Sequence, residues 1–208
     1  GATTRIPTYT DLYYEDRGNV GNPNLKEEVA FTSELGVKLT KAKFNLSVSV
    51  YNRRATDQID WFRVSEDDKW MPDNFNRANY FGFEMVSKMQ WGNSKKLHGN
   101  MALSYSYINA SFEENDFAFS RNALENLRHQ FVLTPSLNWN NFEVLLVGKY
   151  NDRVSLEDYF LLDTNLSYSF LKYRLYLKAN NTTDANYRET NLVDMPGRWL
   201  KIGAVINL

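Results

Sequence analysis

The residues best placed to do chemistry are aromatics and arginines gathered in polar stretches. Trp61, Phe62, Arg63, Trp70, Phe75, Phe117, Phe119 and Arg121 stand in two such stretches, about 61–76 and 110–126. Large rings with guanidinium groups on exposed loops are what a ligand-capturing surface needs. The same residues could simply pack on neighbouring loops. Both readings stay open, and Trp61, Arg63, Trp70, Phe75, Phe119 and Arg121 are the expected ligand contacts.

Other groupings are poorer in chemistry. His98 and His129 are the two histidines of the chain. They fall on opposite strand faces and toward opposite ends, so they cannot share a metal. No nucleophile and base stand within reach of one another, so enzymatic catalysis is not expected. Asp67-Asp68-Lys69-Trp70-Met71-Pro72-Asp73-Asn74 holds hard-ion donors but lacks the spacing and closing Glu of a calcium loop. Glu113-Glu114-Asn115-Asp116 has the same status, and neither a metal nor a cofactor is expected. Asn109-Ala110-Ser111 matches a glycosylation acceptor only incidentally.

Nine segments must position these groups, and each alternates apolar and polar residues with a period of two. They span about Glu28–Leu39, Phe44–Arg53, Tyr80–Trp91, Leu97–Tyr107, His129–Trp139, Phe142–Tyr150, Phe160–Phe170, Tyr173–Ala179 and Trp199–Leu208. Arg5 to Tyr9 reads as the tail of one more strand. The connections alternate short and long. Thr40-Lys41-Ala42-Lys43, Gly92-Asn93-Ser94-Lys95, Asn140-Asn141 and Leu171-Lys172 are tight; the others are long and polar. No position assigned to the apolar faces is Asp, Glu, Lys or Arg. A lipid-facing β-barrel has this pattern, because a Lys or Arg on the lipid face near the midplane costs about 2–4 kcal/mol. Each strand has the length needed to cross a bilayer at a tilt.

Aromatics near the ends of the apolar face fit interfacial girdles. Trp91, Trp139, Phe142, Phe170 and Tyr173 lie toward the tight turns; Tyr105, Tyr107, Tyr150 and Phe160 lie toward the long loops. The opposite face carries Glu34, Lys38, Arg53, Glu84, Lys88, Arg174, Lys178 and Lys201, either as a wet wall or as a solute path.

Composition agrees. Lys plus Arg is 24 and Asp plus Glu 25 among 208 residues, so no nucleic-acid partner is expected. There are no cysteines, hence no disulfide framework or thiolate metal site. No apolar run approaches a transmembrane helix. Gly1-Ala2-Thr3-Thr4 is not a basic-then-apolar leader, so either a leader has been removed or the chain starts inside a larger protein. Nine strands, an odd number, cannot close an antiparallel barrel, which points to a portion of a wall.

Several segments resemble a signature of TonB-dependent outer-membrane receptors. Arg5-Ile6-Pro7-Thr8-Tyr9-Thr10-Asp11-Leu12-Tyr13-Tyr14 matches that family's R-x-P-x-x-x-[DE]-L-Y loop. Gly21-Asn22-Pro23-Asn24-Leu25-Lys26-Glu27-Glu28 matches G-N-P-x-L-K-P-E, with Glu27 in place of Pro. Asn79–Glu84 is similar to a later N-x-x-G-x-E strand. Ala179–Tyr187 is similar to N-L-x-[DN]-x-x-Y, with Thr182 in the apolar place. Lys201, Gly203, Ile206 and Leu208 fill the places of a C-terminal signal read by the barrel-insertion machinery, although the family usually ends in an aromatic.

The resemblance implies an all-β, antiparallel transmembrane β-barrel segment, nine to ten strands of a twenty-two-stranded barrel. Residues 1–208 would be its C-terminal portion, with the plug domain and earlier strands absent. The implied function is TonB-dependent active uptake of a scarce ligand across the bacterial outer membrane, with cobalamin, an iron–siderophore or haem as candidates. The implied partners are outer-membrane lipid, a small-molecule or metal-chelate ligand, TonB through the missing plug, and the insertion machinery. A passive porin or structural barrel, and a secreted carbohydrate-binding β-sandwich, are the alternatives.

Overall fold

The computed structural model describes residues 1–94, 96–112, 119–121, 127–154, 156–190 and 193–206, without the side chains of 75, 76, 93, 119 and 190. The elements in order are β1 (Ala2–Arg5), α1 (Tyr9–Tyr13), β2 (Glu28–Lys41), β3 (Phe44–Arg63), β4 (Met71–Ser94), β5 (Leu97–Phe112), β6 (Phe119–Ser120), β7 (Leu127–Trp139), β8 (Phe142–Arg153), β9 (Tyr159–Phe170), β10 (Tyr173–Asn180), β11 (Arg188–Thr190), β12 (Val193–Asp194) and β13 (Trp199–Ile206). One sheet runs β1-β2-β3-β4-β5-β7-β8-β9-β10-β13, with β6 on β3 off this path and β11–β12 as a separate ribbon. Sequential antiparallel neighbours joined by hairpins are what the alternating tight turns dictate.

The main path has ten strands, because Ala2–Arg5 is a full member paired with Glu28–Phe31. This corrects the expectation of a strand tail at Arg5–Tyr9. The strand lies earlier, and Tyr9 opens a helix. With ten strands, the parity argument for a portion of a wall no longer holds.

The long loop expected at 61–76 is also corrected. β3 continues to Arg63 and β4 begins at Met71, so the connection is 64–70. Trp61, Arg63 and Phe75 therefore stand on strands. Backbone pairing outlasts the alternating pattern because N–H and C=O groups need partners in water-facing sheet as well. The long connection before β13 contains the β11–β12 ribbon.

Contacts divide the chain into two compact units: 1–35, 50–83 and 108–126; and 36–49, 84–107 and 127–208. In the first, Ala30, Ala55 and Ala78 form a buried cluster flanked by Tyr80 and Phe112. Side chains this small let adjacent backbones carry the packing. In the second, an open apolar face includes Leu137, Trp139, Phe142, Leu166, Leu175, Leu177, Leu200 and Ile202, all exposed. A soluble sheet would cover such a face; a lipid-facing one presents it.

The register places these residues opposite one another. Leu137 faces Val144, Val144 faces Leu166, and Leu166 faces Leu177. Toward the tight turns an aromatic train joins Trp139–Phe142 (6.2 Å), Phe142–Tyr168 (4.6 Å), Tyr168–Phe170 (6.0 Å) and Phe170–Tyr173 (5.4 Å). At the other strand end His129 meets Tyr107 at 4.9 Å and hydrogen-bonds Tyr105 at 2.8 Å. His98 pairs with Asn138, far along the same two strands from His129. Asn140, in the two-residue turn, has φ +53°, the left-handed backbone that Asn tolerates.

Candidate ligand-capture rim

The site is built around a buried carboxylate in the first unit. Thr8 caps α1: its Oγ1 accepts from Asp11 N at 3.2 Å, and Asp11 Oδ2 accepts from Thr8 N at 3.0 Å. This reciprocal box needs Thr and an acid three apart, which Thr8-Tyr9-Thr10-Asp11 supplies. Asp11 is 4% exposed and does more than cap. Its Oδ2 also accepts from Arg5 Nη2 at 3.2 Å, and its Oδ1 from Trp61 Nε1 at 3.2 Å. A buried carboxylate needs such donors to offset its lost hydration. Arg5 reaches on to Glu28 at 3.7 Å, and Glu28 takes Arg53 at 2.6 Å.

Trp61, thus anchored, stands beside a second buried acid. Asp60 is 1% exposed; its Oδ1 accepts from Trp61 N at 2.7 Å and its Oδ2 from Ser120 Oγ at 2.5 Å. Ser120 belongs to β6, whose register is Phe62 opposite Ser120 and Arg63 opposite Phe119. Arg121 N donates to Trp61 O at 3.0 Å. The two buried acids therefore fix both the indole and the segment that delivers Arg121.

Arg121 spreads over two rings, 5.5 Å from the Trp61 centroid and 4.6 Å from Trp70, and donates to Asn19 Oδ1 at 2.7 Å. Arg63 lies 4.7 Å from Trp70 and donates to Glu66 O at 2.7 Å. Trp70 is clamped along its backbone: its N donates to Gly18 O at 2.8 Å and its O accepts from Val20 N at 2.9 Å. Each guanidinium–indole contact contributes about 0.5–1 kcal/mol where exposed and about 2 where desolvated.

Four of the six expected contacts thus come together: Trp61, Arg63, Trp70 and Arg121. They pack on one another and stay half-buried, as the packing reading has it. Phe75 lies in β4 and Phe119 opens β6; their rings are outside the described residues, as are Glu113–Asp116 and Phe117. Asp11, Asp60, Asn19 and Ser120, which hold the arrangement, were not among the expected residues. The capping spacing at Thr8 and Asp11 was the one readable signal.

The loop motifs have physical roles at the same place. A Cβ on Gly21 would lie 2.7 Å from backbone atoms of Leu12 and Tyr13, so only glycine fits. Asn22 Nδ2 donates to Pro72 O at 3.1 Å. Asn74 forks across the chain: Oδ1 accepts from Lys26 N at 2.9 Å, and Nδ2 donates to Lys26 O at 3.1 Å and to Asp57 O at 2.6 Å. In segment 14–20, Asp16 accepts from Asn19 Nδ2 at 2.8 Å and from Tyr14 OH at 2.9 Å. These donors, Asn19 first, hold the Asp16 carboxyl below its usual range, while the bond to Asp16 raises the Tyr14 phenol.

In the second unit, Asn181 (φ +47°) closes its own loop, accepting from Ala185 N at 2.9 Å and donating to Ala185 O at 2.8 Å. Asp184 accepts from Arg198 N at 2.7 Å, and Tyr187 packs on Tyr159 at 4.7 Å. Asn181, Asp184 and Tyr187 match three of the four fixed places of the Ala179–Tyr187 motif, Thr182 standing in the fourth.

The sequence model of the family described as "TonB dependent receptor-like, beta-barrel" matches residues 1–181. Among curated proteins, the vitamin B12 transporter BtuB of Vibrio vulnificus is 26% identical over 193 residues, covering 90% of this chain and 30% of that protein. The vitamin B12 transporter BtuB of Photobacterium profundum is 28% identical over 113 residues, covering 53% and 17%. Among solved structures, the copper transporter OprC superposes with TM-score 0.71 at 15% identity, over 97% of this chain and 35% of that one. The pyoverdine receptor FpvA of Pseudomonas aeruginosa PAO1, bound to pyoverdine, superposes with TM-score 0.69 at 14% identity, over 100% and 33%. The chain spans about a third or less of the length of these relatives.

Proposed function

From the premise that the chain belongs to the TonB-dependent receptor β-barrel family, a family of outer-membrane transporters rather than enzymes, we propose that it is the C-terminal wall of a receptor that takes up a scarce ligand by TonB-dependent active transport. The ligand class is a cobalamin, an iron–siderophore or haem. In this reading residues 1–208 supply wall and outer loops. A plug domain and the earlier strands come from preceding sequence, TonB acts on the plug, and the C-terminal strand engages the insertion machinery. The share of each relative that the chain covers supports the assignment to a part. The family leaves the passive porin and the soluble carbohydrate-binding sandwich without support.

The observation that carries the capture step is the Arg63–Trp70–Arg121 stack beside Trp61. Two guanidinium groups within 5 Å of one indole give a cationic patch. An anionic or aromatic chelate can lie on it without reorganising the rim, because Asp11 and Asp60 have already fixed the parts. Preorganisation of this kind reduces the entropy lost on binding.

The test is ligand binding to the complete receptor in detergent, with tryptophan emission as the signal and cyanocobalamin, a ferric catecholate and haemin as probes. One of the three should quench emission saturably, and Trp70→Leu should weaken that binding by about tenfold, in line with a lost anchor contact. Saturable binding unchanged in both Trp70→Leu and Arg121→Gln would remove the rim from the mechanism. Uptake that persists after the membrane is de-energised would overturn active transport.

A further inference from the structure

We infer that Lys178, Lys201 and Asn165 form a binding site for hydrogen phosphate, on the face of the sheet opposite its apolar band. The three stand in one row across β9, β10 and β13. Lys178 is the register partner of Asn165 on one side and of Lys201 on the other. Two lysines directly opposite one another repel. They relieve this by leaning apart: Lys178 Nζ lies 5.4 Å from the Tyr176 centroid, and Lys201 Nζ 4.8 Å from that of Trp199. Those rings flank the row on opposite sides, since Tyr176 pairs with Gly203 and Trp199 with Asn180. An exposed ammonium is held only weakly by a ring face, so an anion between the two would draw both inward.

A cavity of about 390 Å³ opens at this row, lined by Lys178, Lys201, Asn165, Asp163, Asn180 and Tyr176. The other charges nearby are matched. Arg174 pairs with Glu143, and Lys149 pairs with Glu189 at 3.8 Å. Asp163, the acid that lines the cavity, accepts from Asn181 N at 2.8 Å. Among the described residues, neither Lys178 nor Lys201 has a carboxylate within ion-pair reach. The cavity therefore keeps a net positive charge.

Asn165 selects the anion. Its Oδ1 is buried and accepts no hydrogen bond among the described residues. A buried acceptor without a donor carries its full desolvation cost. An occupant with negative charge for the lysines and an O–H for this oxygen satisfies all three groups at once. Hydrogen phosphate has both, because at neutral pH it keeps a proton beside its charged oxygens, and ammonium groups bind phosphate oxygens through charge-assisted bonds. Sulfate has the same shape and no proton to give.

The site shares no residue with the Arg63–Trp70–Arg121 stack, but its place on a lumen wall rests on the barrel reading, and the experiment separates the two. The complete receptor in neutral detergent is titrated with inorganic phosphate or with sulfate at constant ionic strength. Acylation of each lysine by an amine-reactive ester is then read by mass spectrometry. Phosphate should protect Lys178 and Lys201 saturably, with sulfate about fivefold weaker for want of one hydrogen bond, while Lys172 in the turn before β10 stays reactive. Lys178→Gln should weaken phosphate protection of Lys201 about fivefold, as does the loss of one exposed charge contact, and Lys178→Arg should restore it. Asn165→Ala should abolish the preference for phosphate over sulfate. Heat-modifiable mobility checks that each variant folds; the comparison of the two anions needs no variant. Equal protection by both anions, a preference that survives in folded Asn165→Ala, or equal protection of Lys172 would overturn the site. So would lysines already unreactive before phosphate is added, which would assign them to a carboxylate of the receptor's own preceding sequence. Selective phosphate protection in a receptor that carries no detergent belt would overturn the lumen placement alone.

Discussion

The indole of Trp61 donates to a carboxylate fifty residues away, Nε1 to Asp11 Oδ1 at 3.2 Å. That bond ties the helix following β1 to the C-terminal end of β3. The other Asp11 oxygen is taken by Thr8 and Arg5. One acid thus decides where the Trp61 ring stands.

Asp11→Ala should lower the midpoint of thermal unfolding and cost about 2 kcal/mol, because Trp61 Nε1, Thr8 and Arg5 lose their acceptor. Arg5 is half-exposed and can be rehydrated, which keeps the figure below that of a fully buried pair. The emission of Trp61 should shift to longer wavelength. Asp11→Asn, which keeps one acceptor oxygen, should lose less; equal stability of wild type and Asp11→Ala would show that the hub is not structural.

Gly21→Ala should destabilise by about 1–3 kcal/mol, as overpacking against backbone does. The obstacle is Leu12 and Tyr13 main chain, which cannot rotate away. Gly82→Ala meets the Tyr51 ring instead. A ring can swing aside, so the unfolding temperature should fall less than in Gly21→Ala.

A charge on the lipid face should be felt more than one on the wet face. Leu166→Arg sits between Val144 and Leu177 in the middle of the apolar band and should cost about 2–4 kcal/mol. Ser167→Arg, on the next residue and the other face, should be tolerated better. Reversible unfolding in liposomes reads the difference, and equal costs would contradict the assignment of faces.

The segment 14–20 should loosen in acid. Asp16 is depressed below its ordinary pKa of 3.8 by Asn19 and Tyr14. Its contribution is therefore complete above that value and is lost as pH falls through the lower, folded-state value. Hydrogen exchange at Gly18, whose N–H donates to Asp16 Oδ1 at 2.8 Å, should speed up in that window. In Asp16→Asn the pH step should vanish.

What could be read from the chain followed from period-two alternation. It specified the faces and the tight turns at Asn140-Asn141 and Leu171-Lys172; the register that sets Leu166 against Leu177 came from the structure. It also separated His98 from His129. Alternation reports a difference between two environments. Beyond the lipid both faces meet water, so the signal stopped near Arg53 while β3 continued to Arg63. The same loss of contrast hid β6, whose Ser120 is held by Asp60. Of the capture rim, the arginines and tryptophans stood out by type. Their mutual stacking depends on buried acids at positions 11 and 60; the capping spacing from Thr8 marks the first, and nothing local marks the second.

The fork made by Asn74 has a consequence for how this rim can change over time. Its amide reads only main-chain atoms of Lys26 and Asp57, so it is blind to the side chains at either place. Position 26 can therefore drift in charge and size while the loop beginning at Gly21 stays tethered; position 57 is held to fewer residue types by its left-handed backbone, φ +53°. Position 74 has no such freedom, since only an amide side chain sets two donor hydrogens and an acceptor oxygen side by side on one planar group. A loop tethered this way can change its surface without losing its hold on the strands.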